Sequence, residues 1–317
     1  MRDRSFAIGA FAFALAPFGA QAAEDAGLVP APTESAVEVE PKSAAGFDVF
    51  ASTDADKTQV LRLGWNLDWS RSGDEKFEGI RLERALFRPL GQRGKDFERA
   101  YLRYADQSGQ WSWTGQLGTD GRTALGAVNL VTGSRRRTEL FLERDILETP
   151  RGVDEGVYYT FAGVAVDVPL TARDTGTFVI GAQEFTGKNV RLHARATYVR
   201  VLKPAWGLSA QLRGRYFHST EPGEYDYFSP RWYGEALPVL QLRRFSRGWR
   251  YLVAAGYGAQ RDSASHWRSS RYLNGQVSSP SGRPVRLNAS FAYSNTPVGS
   301  GFTYDYLQGS LGLTTYF

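Results

Sequence analysis

The sequence predicts an all-β fold, a transmembrane antiparallel β-barrel of the outer-membrane type with about 16 strands. Three observations predict it: short segments in which apolar and polar residues alternate, aromatic residues at the segment ends, and an aromatic final residue, Phe317. Alternation with a period of two gives a strand one apolar and one polar face. Mean hydropathy is only −0.37 although 14% of the residues are aromatic, as expected when lumen-facing polar residues alternate with lipid-facing apolar ones.

Residues 1–22 have the organisation of a signal peptide. Arg2 and Arg4 precede a short apolar core, and Ala20 and Ala22 flank Gln21 in a small-residue cleavage site. The apolar core is too short to cross a bilayer as a helix. This order of charge, core and cleavage site predicts export, and with the barrel pattern it predicts the outer membrane of a Gram-negative bacterium.

Residues 23–45 are predicted to form a disordered periplasmic tether. They are rich in Ala, Pro, Glu and Val, show no usable period, and hold five acidic residues against one lysine. Such a segment has too little apolar surface to fold alone. Two interpretations stay open: the tether reaches a partner, or it is a passive spacer.

Residues 46–317 are predicted to form the barrel, because short alternating runs separated by Gly, Asp, Ser and Pro clusters begin there and continue to the end. The predicted strands are 46–52, 58–70, 76–88, 96–105, 110–118, 123–132, 136–146, 157–170, 177–185, 189–202, 207–218, 231–245, 249–260, 267–277, 283–294 and 302–317. An even number of strands is typical of single-chain outer-membrane barrels, and about 16 leave room for a lumen.

A soluble β-sandwich or propeller is the alternative, since its strands also alternate when one face is solvated. Three observations favour the membrane barrel: the signal peptide, the aromatic residues at strand ends such as Trp69 and Trp249, and Phe317. Phe317 is interpreted as a membrane-assembly signal, read by the barrel-assembly machinery and anchored in outer-membrane lipid. Thr315 departs from this signature, because an aromatic residue usually stands two positions before the last.

If the apolar faces contact lipid, the opposite faces line a lumen rich in arginine. The cationic candidates are Arg191, His193, Arg195, Arg213, Arg215, Arg243, Arg250 and Arg286. The acidic candidates are fewer, namely Glu83, Glu139, Glu143 and Glu235. Guanidinium groups attract anions and donate hydrogen bonds to carboxylates and hydroxyls, so the lumen is predicted to prefer anions. The alternative is that arginines and carboxylates form ladders that satisfy buried polar surface and stiffen the wall.

Enzymatic chemistry is not predicted. The chain has no cysteine and three histidines, His193, His218 and His266, and no third residue can be assigned to orient a catalytic pair. The sequence therefore predicts no catalytic site, metal or cofactor, and no nucleic-acid partner.

Two stretches resemble a known family. Tyr227-Phe228-Ser229-Pro230-Arg231-Trp232-Tyr233 resembles the Tyr-Phe-Ser-Pro-x-x-Tyr motif in the C-terminal barrel of cellulose-synthase-operon protein C, and residues 139–150 resemble the Glu-Arg strand end that precedes it. Related barrels occur in the poly-N-acetylglucosamine export porin. The resemblance implies a sixteen-stranded porin that exports an exopolysaccharide, either cellulose-like or an amino-sugar polymer, made by an inner-membrane glycan synthase.

The chain departs from that family in the region before the barrel. Family members carry a long tetratricopeptide superhelix there, whereas residues 23–45 show no helical repeat. The resemblance then implies a separate periplasmic repeat protein, or export without one.

The aromatic residues of the motif have two possible roles. Pro230 cannot donate to a strand ladder, so it belongs at a strand start. Tyr227, Phe228, Trp232 and Tyr233 then form a cluster at the barrel rim, which either stacks on sugar rings or belongs to the interfacial girdle. The sequence thus favours an exopolysaccharide channel with an arginine-lined lumen. The alternatives are a general diffusion porin for anions and a non-conducting surface receptor or assembly barrel.

Overall fold

The computed structural model describes residues 42–73, 75–133, 136–281, 283–296 and 305–317, which form sixteen strands and one short α-helix. Strands β1 to β8 span Lys42–Thr53, Gln59–Arg71, Phe77–Arg88, Lys95–Ser108, Trp111–Thr119, Ala124–Thr132, Thr138–Ile146 and Tyr158–Pro169. Strands β9 to β16 span Asp174–Phe185, Val190–Lys203, Leu208–Ser219, Trp232–Ser246, Trp249–Asp262, Arg268–Ser278, Val285–Ser294 and Tyr306–Tyr316. Helix α1, Pro150–Glu155, lies between β7 and β8.

Every strand pairs antiparallel with its neighbours in sequence, and β16 pairs with β1 to close the barrel. The closing register runs from Ala44 opposite Tyr316 to Thr53 opposite Leu307. The backbone N–H of Phe317 extends it by donating to the carbonyl of Ser43 at 2.9 Å. Closure leaves no unpaired sheet edge, which is the condition for strands to stand in lipid.

The outer face carries a band of exposed apolar side chains. Leu82, Leu102, Ile180 and Leu240 are each more than half exposed, whereas the residues next to them in sequence point inward. Exposed aromatic side chains lie near the two ends of the strands: Trp69, Trp111, Trp206, Phe245, Tyr251 and Phe317 at one end, and Tyr216, Tyr257 and Trp267 toward the other. Two aromatic girdles flanking an apolar band are the surface of a membrane-spanning barrel.

The two ends of the barrel differ. At the end where β1 begins and β16 ends, called the terminal end, connections include two-residue turns such as Arg247-Gly248. Both turn residues have positive φ, 51° and 80°, as a type I′ hairpin turn requires. The opposite end, called the loop end, carries long connections, among them the helical loop, residues 147–157, and the aromatic loop, residues 220–231.

The predicted fold class is confirmed, and each of the sixteen predicted segments overlaps the strand of the same rank. One domain boundary was wrong. β1 begins at Lys42, because residues 42–45, assigned to the tether, pair with β2 and β16. Helix α1 was not predicted. The signal peptide and residues 23–41 of the tether lie outside the described residues. Among the described residues, no helix is long and apolar enough to cross a membrane.

Candidate functional site

The lumen is the candidate site, since alternation sends most of the buried polar strand residues into it. Its wall has two sides of different character. On β1 to β4 and β7, basic and acidic side chains alternate in contact. On β10 to β12, arginines outnumber carboxylates.

The first side, called the paired ladder, holds equal numbers of arginines and carboxylates. Its members are Arg62, Arg71, Arg81, Arg99, Arg103, Asp48, Asp68, Glu83, Asp145 and Glu148. Arg81 donates to Asp48 at 2.5 Å and to Glu83 at 2.8 Å. Arg99 then links Glu83, at 3.1 Å, to Asp145, at 3.4 Å.

A second branch of the paired ladder centres on Asp68. Its carboxylate lies 2.6 Å from Arg71 and 3.1 Å from Arg103, and both guanidinium groups also stand over the Phe77 ring. Buried ions are tolerated only when each is paired and hydrogen-bonded. The paired ladder therefore neutralises itself and holds these strands in one geometry.

The second side, called the arginine wall, comprises Arg191, Arg195, Arg213, Arg215 and Arg243 on β10, β11 and β12. The same three strands place one carboxylate in the lumen, Glu235. Strand register brings the cations together. Arg195 lies directly opposite Arg215, and Arg215 directly opposite Glu235. Glu235 accepts from Arg215 at 3.1 Å, so its charge is already engaged.

The arginine wall continues along β11 and β12 as a chain of side-chain hydrogen bonds. Arg213 Nε donates to Gln211 Oε1 at 2.8 Å, and Gln211 Nε2 donates to Gln241 Oε1 at 3.0 Å. Arg243 follows on the same face of β12, close to the terminal end. Polar donors and acceptors therefore run lengthwise along the lumen rather than gathering at one point.

Aromatic rings cross the same part of the lumen near the loop end. Phe161 lies 5.1 Å from Phe141 and 5.0 Å from the ring of His193. His193 lies 5.6 Å from Phe217, which stacks on Tyr233 at 5.1 Å. These centroid separations are those of favourable ring pairs. The rings, called the aromatic band, form a continuous apolar surface from β7 to β12.

The helical loop folds into the lumen and reaches strands β2 and β3, which lie five and four strands away from β7 around the wall. Glu148 pairs with Arg62 on β2, and Val153 of α1 packs against Val60 and Phe87 on β2 and β3. Because the loop is anchored on β7 and β8, these contacts draw it across the barrel interior. Thr149 caps α1 by accepting the Gly152 N–H at 3.0 Å, and Pro150 suits the first helical position.

The aromatic loop folds inward beside it and is held by its own rings. Tyr227 stacks on Phe185 with a centroid distance of 4.3 Å, and its hydroxyl accepts the side-chain N–H of Asn189 at 2.6 Å. Burial raises the pKa of Tyr227 to about 12, so the phenol stays neutral. Arg191 donates to the carbonyl of Phe228, and its guanidinium carbon lies 4.5 Å from the centre of the Phe217 ring.

The two loops touch each other at the Asp226 carboxylate and at the Tyr225 ring. Asp226 of the aromatic loop accepts the Thr149 hydroxyl at 2.6 Å and the Arg151 backbone N–H at 2.7 Å. The Arg151 guanidinium also lies 5.0 Å from the centre of the Tyr225 ring. The helical and aromatic loops therefore form a joined lid over this part of the lumen.

In sequence, the chain matches no family model and no curated protein. In structure, it matches a bacterial polysaccharide outer membrane secretin with a TM-score of 0.62 and 14% identity, over 86% of this chain and 98% of that one. It has the fold of the polysaccharide secretin. Two other matches, OccAB3 of Acinetobacter baumannii and OprD of Pseudomonas aeruginosa, have TM-scores of 0.41 and 10% identity, over 87% of this chain and 99% and 95% of theirs.

Within this secretin fold, the predicted site residues occupy three kinds of position. Arg191, His193, Arg195, Arg213, Arg215, Glu235, Arg243 and Arg286 lie on luminal faces, as predicted. Trp232 does not. It begins β12 on the outer face, with the Arg261 guanidinium 5.8 Å from its ring centre, because Tyr233 takes the inward direction of the alternation.

The other aromatic residues of the predicted rim cluster are covered. Tyr233 is fully buried and Tyr227 almost so. Phe228, partly buried, lies 6.0 Å from Tyr233 in an edge-to-face arrangement. These three rings hold the aromatic loop inside the lumen, so the open rim predicted from the sequence is not observed. Phe317 lies one residue past β16 and points outward.

Sequence reasoning missed the residues that join the lid, Thr149, Glu148 and Asp226. Thr149-Pro150 carried a usable signal, because Thr before Pro is typical of a helix start. Asp226 carried none, since its role depends on contact with a residue 77 positions away.

The paired ladder gives a stability test. Replacing Glu83 with Gln removes the carboxylate shared by Arg81 and Arg99, leaving buried positive charge undercompensated. We expect the free energy of unfolding to fall by about 3 kcal/mol, measured by urea titration of protein folded into lipid vesicles. The matched control is Glu98→Gln, at an exposed position on the neighbouring strand. If Glu83→Gln cost no more than this control, within about 0.5 kcal/mol, the paired ladder would not stabilise the barrel.

Proposed function

We propose that the protein exports an exopolysaccharide across the outer membrane through the barrel lumen. The observation that carries the proposal is the arginine wall with its Gln211 and Gln241 chain, which runs from beneath the lid toward the terminal end and lies beside the aromatic band. Guanidinium and amide groups bind sugar hydroxyls and carboxylates, and aromatic faces stack on sugar rings. The lengthwise arrangement suits a polymer, because many weak sites let a chain advance where one tight site would hold it.

A general diffusion porin for anions is a weaker candidate. Such a pore works by staying open, whereas here the helical and aromatic loops fold into the lumen and bind each other through Asp226. A lid of this kind suits a channel that opens for its cargo. A receptor or assembly barrel without conduction needs no polar track along its interior.

The two ends of the barrel differ in a way that indicates the direction of export. Short turns at the terminal end and long loops opposite match the periplasmic and extracellular ends of outer-membrane barrels. Glycan made by an inner-membrane synthase then enters at the terminal end, guided by a separate periplasmic repeat protein, and leaves past the lid. Residues 23–41 follow the proposed signal peptide and would stand in the periplasm, where they could contact that partner.

Polysaccharide export is tested in the source bacterium by deleting the gene. We expect extracellular polysaccharide, measured as total carbohydrate with its sugar composition, to fall to background and to return when the wild-type gene is supplied. Normal amounts of surface polymer in the deletion strain would refute the proposed function.

The lid is tested by conductance. Replacing Asp226 with Ala removes both hydrogen bonds between the loops. We expect the open fraction of single channels in planar bilayers to rise by about tenfold or more, because one hydrogen bond to a charged group contributes at least as much free energy as a tenfold change requires. Glu221→Ala, an exposed position of the same loop, is the control and should conduct like wild type. Equal conductance of Asp226→Ala and wild type would show that this contact does not hold the lid.

A further inference from the structure

We infer that the cargo is an anionic, carboxylate-bearing polysaccharide, and that the arginine wall is its binding site. The inference deepens the proposed function and rests on it. It differs from the cellulose-like or amino-sugar cargo that the sequence resemblance implies. Charge is distributed unequally between the two sides of the lumen.

The two sides treat arginine differently. Every arginine of the paired ladder contacts a carboxylate. Of the arginine wall, Arg215 has such a contact, with Glu235. Arg191 is bound instead by the carbonyl of Phe228 and the hydroxyl of Ser219, and Arg213 by the amide oxygen of Gln211. Neutral acceptors leave the positive charge in place.

Individual donors on this wall are also left open. The Nε atom of Arg195 and the Nη2 atom of Arg213 are buried and have no hydrogen-bond acceptor among the described residues. A buried donor without an acceptor costs free energy. A ligand that accepts hydrogen bonds from Arg195 and Arg213 would recover this free energy.

Nearby acids do not cancel this charge. Glu224 accepts the backbone N–H groups of Lys188 and Asn189, at 2.7 and 3.0 Å, and Asp226 is held by the helical loop. On β13, Asp262 lies 2.7 Å from Arg268. The surplus therefore stays on the luminal face of β10 and β11, where Arg195 and Arg213 lie between the aromatic band and the terminal end.

The chemistry of the guanidinium group favours a ligand that carries carboxylates. A planar guanidinium matches a carboxylate with two parallel hydrogen bonds, which gives both strength and orientation. A neutral glucan would satisfy the donors without using the charge, and a cationic amino-sugar polymer would be repelled. A uronate-containing glycan places a carboxylate on a ring that can also stack against the aromatic band once the aromatic loop has moved off these rings. This fits both features of the site.

The test is calorimetric titration of the full-length, detergent-solubilised protein with three oligosaccharides of equal length: oligogalacturonate, a cello-oligosaccharide and a chitosan oligosaccharide. We expect oligogalacturonate to bind at least about tenfold more tightly than either of the others, and its affinity to fall with added salt. The double variant Arg195→Gln/Arg213→Gln should lose at least that factor. Arg271→Gln, at an exposed position on the outer face, removes the same type of charge and should bind as wild type.

The folded barrel is verified for every variant by heat-dependent gel mobility. If the double Gln variant fails to fold, Arg195→Lys/Arg213→Lys keeps the charge without the planar fork and should bind oligogalacturonate more weakly than wild type. Equal binding of cello-oligosaccharide and oligogalacturonate, unchanged in the arginine variants, would overturn the anionic cargo and leave export of a neutral glycan intact. Binding of none of the three would count against both the anionic cargo and the proposed function.

Discussion

Closure of β16 onto β1 is the constraint on which the rest of the structure depends. It removes the last sheet edge, so all strand hydrogen bonds are made inside the wall and the barrel can stand in lipid. It also divides each strand into an outer and an inner face. The outer faces must be apolar, and the polar half of the strand residues has no other place than the lumen. Every functional feature of the molecule follows from how these inward groups are satisfied.

The chain satisfies its inward charges in two ways. Around Glu83 and Asp68, arginines and carboxylates neutralise each other, and these strands gain rigidity but no affinity for an ion. Around Arg191 and Arg213, the neighbours are glutamine, aromatic rings and a carbonyl, so positive charge remains facing the lumen. The sequence-based alternatives, a substrate-binding lumen and a stiffening ladder, therefore describe opposite sides of one barrel.

Sequence reasoning succeeded where the structure is periodic. Alternation located all sixteen strands and the inward direction of Arg191 and Glu235, because successive side chains of a β-strand point to opposite faces of the sheet. It failed where contacts are distant in sequence. Nothing local indicates that Glu148 pairs with Arg62, that Asp226 binds Thr149, or that the Tyr227 to Tyr233 rings fold under a lid. Trp232 was misassigned because the sequence did not show at which residue β12 begins. The side chains that point inward at the rim therefore could not be told from those that point outward. The division of arginines between paired and surplus positions depends on the order of strands around the barrel, which only the closed structure supplies.

We infer that the arginine wall gives the conducting lumen a positive field. Its most direct test is the reversal potential of the Asp226→Ala protein in a planar bilayer under a potassium chloride gradient. Because a positive lumen concentrates chloride, we expect a reversal potential whose sign indicates anion selectivity. We expect this potential to move toward zero when Arg195 and Arg213 are replaced by Gln. A reversal potential of the sign for cation selectivity would contradict it.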